Sequence, residues 1–178
     1  SIPSEKTLKQ SRIESSMTID ELFDRLEDER ERFLDLLEGL SPEEHLIPGV
    51  TGDWSIKDII VHLSRWEAEL VKLLYELRLG LNPTAVFLQG ANSENNDLEW
   101  HQQNQTRSLD QAMADFAAVR KQTLRRLESF SKDDLNSTQR FRALGGTPLW
   151  KWVAECTYEH ESEHGEQIRR WRAHGLKD

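Results

Sequence analysis

The stretch PLWKWVAECTYEHESEHGEQIRRW, from Pro148 to Trp171, contains the pattern that decides the fold. Apolar and metal-capable side chains recur in it every three or four residues, the period of one face of an α-helix. They are Val153, Cys156, His160, His164, Ile168 and Trp171. Residues four apart on a helix have Cβ atoms roughly 5–6 Å from each other, so both imidazoles can reach one divalent ion. The stretch predicts a buried helix that carries two metal ligands.

Three further helices are predicted ahead of it from apolar stripes and capping signals, over about residues 18–39, 55–80 and 109–130. Thr147 and Pro148 are predicted to open the fourth helix as N-cap and first residue. Residues 81–105 carry loop signals and room for one short helix, and no strand pattern is visible. We predict an all-α antiparallel four-helix bundle with short extra helical turns over residues 18–175, preceded by a polar N-terminal arm over residues 1–17.

A third histidine lies on the apolar stripe of the second predicted helix, at His62. Three imidazoles suit zinc, nickel or ferrous iron and leave coordination positions open for water or substrate. The alternative is that each histidine packs in the core with its ring nitrogens hydrogen-bonded. A pair four residues apart with a third on another apolar stripe favours the metal site, so His62, His160 and His164 are the predicted ligands.

The segment from His160 to His164 also matches H-E-x-x-H, in which the glutamate activates a metal-bound water. Glu161 is therefore a candidate catalytic base, although a glutamate in this slot is unremarkable in so glutamate-rich a chain. A metalloprotease is disfavoured because only fourteen residues follow His164 and no preceding sheet is predicted to bind a peptide. Cys156 is expected to be a small buried side chain, since eight residues of helix, about 12 Å of rise, separate it from His164.

Two interpretations are possible for each of several other side chains near these ligands. Asp58 lies one turn before His62 and either orients its ring or only caps the helix with Ser55. Three tryptophans either wall a pocket above the metal or belong to the plain core. They are Trp66, Trp152 and Trp171. The remaining histidines lie in turns or the tail and are expected to be exposed. They are His45, His101 and His174.

The composition excludes several classes of function. The formal net charge is -9, and an acidic surface repels phosphate backbones and anionic headgroups, so we expect no nucleic acid and no membrane partner. No long uncharged apolar run or cleavable leader is recognised, which predicts a cytoplasmic protein. The single cysteine excludes an internal disulfide framework.

Two motifs resemble those of the DinB-like superfamily of bacterial four-helix-bundle proteins, and of its DfsB-type branch in particular. The first runs from Trp54 to Leu63 as WSIKDIIVHL and continues to Trp66-Glu67, and the second is Tyr158-Glu159-His160 with His164. The resemblance covers about Thr18 to Trp171. The chain departs from the usual pattern in its long arm before Met17 and in Glu161.

The resemblance implies that His62, His160 and His164 bind zinc or nickel. It also implies a small-molecule substrate, because the superfamily includes metal-dependent transferases and isomerases that use thiols such as mycothiol, bacillithiol or glutathione. The branch includes a hydrolase that opens a reactive cyclopropane, without this triad, and protects its host from a genotoxin. Homodimers are frequent in the superfamily, so a homodimer is expected. The expected function is a metal-dependent thiol transferase or hydrolase acting on small electrophiles. The alternative is a non-enzymatic protein that sequesters a small molecule, with a structural metal or none.

Overall fold

The computed structural model describes residues 16–89 and 93–176, and the described residues form α-helices and short 3₁₀ turns with no strand. This confirms the predicted all-α fold. The helices are α1 (Ile19–Asp35), α2 (Ile56–Arg78), α3 (Ser93–Gln103), α4 (Leu109–Leu127), α5 (Lys132–Asn136), α6 (Leu149–Cys156) and α7 (Tyr158–His174). The 3₁₀ turns are Glu44–Leu46, Val86–Leu88 and Arg142–Leu144.

Side chains at the N-terminal ends set where the helices begin. Reciprocal capping boxes open α1 with Thr18 and Glu21, and α2 with Ser55 and Asp58. A capping box also opens α4, where the Ser108 side chain accepts from the Gln111 backbone N–H, and another opens α5. Each box satisfies two of the backbone N–H groups that the first turn of a helix leaves without partners. Interactions between residues three or four positions apart therefore determine where these helices begin.

The four long helices form the bundle in an up-down-down-up order. The end of α7 meets the end of α1, where Arg172 donates to the Leu36 carbonyl, so these two helices run parallel. The start of α2 meets the start of α4, where Lys57 donates to the Arg107 carbonyl, so these two also run parallel. A parallel pair needs a connection that returns along the bundle, and residues 79–89 and 93–108, which include α3, belong to that connection.

The fourth predicted helix is interrupted. Thr157 leaves the helical region with φ −128° and ψ −101°, and its hydroxyl donates to the Val153 carbonyl, which separates α6 from α7. Pro148 was predicted to be the first helical residue. Its ψ of 148° is extended, so it is the N-cap instead, and α6 begins one residue later than predicted. The prediction of one continuous helix was therefore wrong at Thr157, where the backbone leaves helical geometry for one residue without any change in the apolar periodicity of the sequence.

The core consists of two apolar clusters with a charged layer between them. One cluster includes Leu22, Leu26, Leu70 and Leu127, and the other includes Phe33, Ile59, Leu63, Phe116 and Ile168. Between them lie four charged side chains, one from each long helix, which we call the ionic quartet: Arg30, Glu67, Arg120 and Glu161. On α4 the residue that enters this charged layer is thus Arg120.

Residues 1–15 of the predicted arm lie outside the described residues. Its last residue, Met17, is buried, and its backbone exchanges two hydrogen bonds with the Asn136 side chain at 2.8 and 2.7 Å. Among the described residues, no helix has both the length and the apolar character needed to cross a membrane.

Candidate metal centre

Three imidazoles from two helices converge at one point. His160 Nε2 lies 2.9 Å from His62 Nε2 and 3.1 Å from His164 Nε2. In a tetrahedral site with metal–nitrogen bonds of about 2.0–2.1 Å, ligand nitrogens lie roughly 3.3 Å apart, close to this spacing. The structure thus brings together the three histidines predicted as ligands, α2 supplying one and α7 the pair four residues apart.

The outer ring nitrogens of two of these histidines face acceptors. His164 Nδ1 lies 2.7 Å from Gln167 Oε1, and His62 Nδ1 lies 3.2 Å from Asp97 Oδ1. The second contact is not aligned as a directed hydrogen bond, so the carboxylate charge is its main effect on the ring. The hydrogen-bond acceptor at His164 Nδ1 and the carboxylate charge beside His62 Nδ1 both favour a proton on the outer nitrogen, which leaves the Nε2 lone pairs of these two histidines directed at one centre. Converging lone pairs repel each other unless a cation lies between them, so the donor set fits a divalent metal ion.

Burial favours the neutral form of His160 and His164, the form of imidazole that binds metals. Burial, reinforced by His62 and His164, lowers the pKa of His160 to about 3. The pKa of His164 is also lowered, mainly by burial and then by His62. Protons therefore compete weakly for these nitrogens at neutral pH.

The three histidines lie at the floor of an open cavity of about 540 Å³. Aromatic side chains from α2, α6 and the loops line it: Trp54, Trp66, Phe87 and Trp152. Trp66 and Trp152 therefore do wall the pocket, whereas Trp171 is buried in the core. A small molecule in this cavity would contact both the imidazoles and the aromatic rings.

Asp58 is not the partner of His62. Its carboxylate accepts from the backbone and hydroxyl of Ser55, both at 2.9 Å, and its second oxygen lies 3.6 Å from His101 Nδ1. Asp97 on α3 takes the position beside His62 and also accepts from Trp66 Nε1 at 2.8 Å. The capping reading of Asp58 is the correct one, because the first turn of α2 already uses its carboxylate.

The other histidines divide three ways. His174 is exposed, as expected. His45 is buried with Nδ1 2.7 Å from the Ser41 carbonyl, and His101 is half-buried and stacked on Trp54 at 5.6 Å. The expectation of exposure was wrong for these two because His45 lies in a 3₁₀ turn that bonds its ring to Ser41, and His101 lies on α3 and packs on Trp54.

Glu161 points away from the histidines although it follows His160 directly. One carboxylate oxygen accepts from Arg30 at 2.7 Å and from Arg120 at 2.6 Å, and the residue is 1% exposed. It is not among the residues that line the cavity. A carboxylate held between two guanidinium groups in the ionic quartet is poorly placed to take a proton from a molecule in the cavity, so we do not assign the base role to it.

Cys156 lines the cavity but is not part of the histidine cluster. Its side chain is buried, as predicted, and burial raises the pKa of the thiol well above its ordinary value. A thiol that stays protonated is a poor metal ligand and a poor nucleophile.

Sequence patterns missed several residues around the site. Gln167 lies three residues after His164, so helical spacing alone could have indicated it. Asp97 lies in a weakly patterned stretch, and nothing local links it to His62. Members of the ionic quartet do leave a signal, because Arg30, Glu67 and Arg120 interrupt apolar stripes at inward positions.

A bundle with three converging histidines beside an open aromatic cavity defines a class of metal-capable helical proteins. The model of the DinB superfamily matches residues 25–168, and the chain belongs to this superfamily. No curated protein matches the sequence.

Solved structures confirm the fold. A sibling lethal factor precursor, DfsB, is 15% identical with a TM-score of 0.77, covering 91% of this chain and 99% of that one. An uncharacterised protein from Escherichia coli UTI89 is 15% identical with a TM-score of 0.75, covering 89% and 94%. The colibactin self-resistance protein ClbS is 13% identical with a TM-score of 0.74, covering 88% and 96%. The resemblance to DfsB-type proteins is thus confirmed at the level of fold.

One of these structures corrects an expectation about partners. ClbS was solved in complex with double-stranded DNA. The exclusion of nucleic acid partners on the basis of net charge was therefore wrong. Net charge averages over the whole surface, whereas binding depends on the local arrangement of charges and on the fold.

Proposed function

We propose that this protein binds one divalent metal ion, zinc or nickel, through His62, His160 and His164 and acts on small electrophiles as a thiol transferase or hydrolase. The observation that carries the proposal is the convergence of three Nε2 atoms at the floor of an open cavity. A metal there would supply a Lewis acid that polarises a thiol or water. Three protein ligands leave a coordination position free for that molecule.

The residues of the chain have separate tasks in this proposal. The carboxylate of Asp97 and the amide of Gln167 hold protons on the outer nitrogens of His62 and His164. The aromatic walls bind the apolar part of the substrate and displace water from it. A low-molecular-weight thiol would enter from the open side of the cavity as cosubstrate.

Metal content of the untagged protein tests the proposal. We expect about one zinc or nickel per chain in the wild type, measured by elemental analysis, and none in His160→Ala. His174→Ala is the matched control, because it removes an exposed histidine from the same helix and should keep the metal. Absence of metal from the folded wild type, even after incubation with zinc or nickel, would refute the proposal.

The second proposed function is non-enzymatic sequestration of a small toxic molecule. The named role of ClbS in self-resistance supports it, and the DNA complex of that protein makes double-stranded DNA a partner worth testing here. His62→Ala distinguishes the two functions. An enzyme should lose thiol transfer from glutathione or mycothiol to monochlorobimane while staying folded, whereas a sequestering pocket should bind the probe equally well in the variant.

A further inference from the structure

The walls of the cavity above the histidines form a continuous aromatic surface. Phe87 stacks on Trp152 with ring centroids 5.3 Å apart and an interplanar angle of 21°. The Trp66 ring centroid lies 6.3 Å from that of Phe87, and the Trp54 ring centroid lies 4.9 Å from that of His62. Faces of indole and phenyl rings carry partial negative charge, which attracts cations within about 6 Å of the ring centroid.

Three carboxylates share the cavity with these rings. Asp97 lies beside His62, and Glu155 on α6 and Glu163 on α7 lie at the exposed rim. No lysine or arginine is among the described residues that line the cavity. Glu155 and Glu163 also form no ion pair within residues 16–89 and 93–176. Their charge is therefore available to a ligand.

The sign of the cavity does not depend on whether a metal is bound. Without a metal, the carboxylates of Asp97, Glu155 and Glu163 make the lining negative. A divalent ion on the histidines offsets two of these charges, and the lining remains negative. An anion that does not bind the metal itself would meet repulsion from the carboxylates and from the ring faces in either state.

We propose that this cavity selects flat organic cations and disfavours anions, so that the substrate is an electrophile that carries a positive charge. The inference deepens the proposed function and rests on it in one respect, that this cavity is the functional site. A positive charge also withdraws electrons from the reacting carbon, which suits attack by a thiol or water. The aromatic rings would bind the face of the ligand and the rim glutamates its charge.

Three small probes of different charge test the selectivity on the full chain, treated with chelator or loaded with zinc. They are benzyltrimethylammonium, benzyl alcohol and benzenesulfonate. We expect isothermal titration to show the cation binding about tenfold more tightly than the alcohol, and the sulfonate binding more weakly than both. Equal binding of cation and alcohol, or tighter binding of the sulfonate, would overturn the inference.

Paired variants identify the source of the preference. Glu155→Gln/Glu163→Gln should reduce the preference for the cation about tenfold. The matched control Glu128→Gln/Glu159→Gln removes two exposed glutamates outside the cavity and should retain the preference. A preference that survives the first pair, or that falls equally in the control, would show that the rim does not set it, and would also overturn the inference.

The same proteins separate this inference from the proposed metal site. His160→Ala should lose its metal and keep the preference for the cation, because none of the three carboxylates is changed. Wild type that binds metal without preferring the cation would contradict only the present inference. Wild type that prefers the cation without binding metal would contradict only the proposed metal chemistry.

Discussion

Two polar clusters lie inside the bundle, and the adjacent residues His160 and Glu161 belong one to each. The ionic quartet pairs two arginines with two glutamates, and its charges balance within the protein. The three histidines place nitrogen lone pairs opposite one another and open onto a cavity. Both clusters are largely buried, but the quartet pairs its charges within the protein, whereas the histidine cluster fits a cation from outside the chain. A polar cluster that fits a partner from outside the chain therefore indicates function better than burial alone does.

The quartet also joins all four long helices. Arg120 donates to Glu67 at 2.8 Å and to the Leu26 carbonyl at 2.9 Å, and Arg30 donates to the Phe116 carbonyl at 3.1 Å. Thr123 adds a hydrogen bond to Glu67 at 2.7 Å. Buried ion pairs of this kind add little net stability over apolar residues, yet losing one partner is costly. The role we assign to the quartet is to hold the helices in register, so that His62 faces His160.

The largest expected effect comes from breaking the quartet. Glu161→Gln should lower the free energy of unfolding by about 3–5 kcal/mol in urea titrations, because two buried guanidinium groups lose a shared carboxylate. The exposed neighbour Glu159→Gln should change it by less than about 0.5 kcal/mol. Unchanged stability in Glu161→Gln, with loss of activity, would contradict the structural role and restore Glu161 as a candidate base.

The second largest effect is expected from the metal ion that we propose the three histidines bind. Zinc at about one hundred times its Kd should raise the free energy of unfolding of the wild type by about 2.7 kcal/mol, since the ion binds the folded site alone. We expect no such rise in His160→Ala, measured by the same urea titrations. An equal rise in both proteins would mean that zinc binds elsewhere.

A smaller effect should follow from the residue beside His62. Asp97→Asn should weaken zinc binding about tenfold to a hundredfold in competition with a fluorescent chelator, because it removes the carboxylate that holds the outer proton of His62. Asp58→Asn is the comparison, since Asp58 caps α2 and does not face His62. It should cost about 1 kcal/mol of stability and leave zinc affinity unchanged. The reverse pattern would return the supporting role to Asp58.

The smallest effect is expected at Cys156, which borders the histidine cluster without joining it. Burial raises the pKa of its thiol, so the thiol stays protonated at pH 8 and only the thiolate is alkylated. Iodoacetamide at pH 8 should label Cys156 slowly in the folded protein and rapidly in urea, as measured by mass spectrometry. Cys156→Ser should keep the metal content of the wild type. Rapid labelling of the folded protein, or loss of metal in the variant, would place the sulfur in the site.

The expected homodimer remains a prediction, and light scattering of the purified protein would test it. The nucleic acid question is open to direct measurement by titration of double-stranded DNA at two salt concentrations, since phosphate contacts weaken as salt increases.

Much of the fold and part of the site could be predicted from the sequence. The capping boxes at Thr18 and Ser55 and the apolar stripes determine where helices begin and which face they bury, because both act within a few residues of chain. The same local spacing placed His160 and His164 on one face. His62 was recognisable because it interrupts an apolar stripe.

Only the tertiary structure decided which groups meet across helices. The contact between Asp97 and His62, the pairing of Glu161 with two arginines, and the parallel run of α2 and α4 join residues far apart in the chain. The break at Thr157 opposed a regular apolar period. Local interactions are encoded in short spacings, whereas contacts between helices depend on the direction and rotation of each helix, which packing of the whole chain determines.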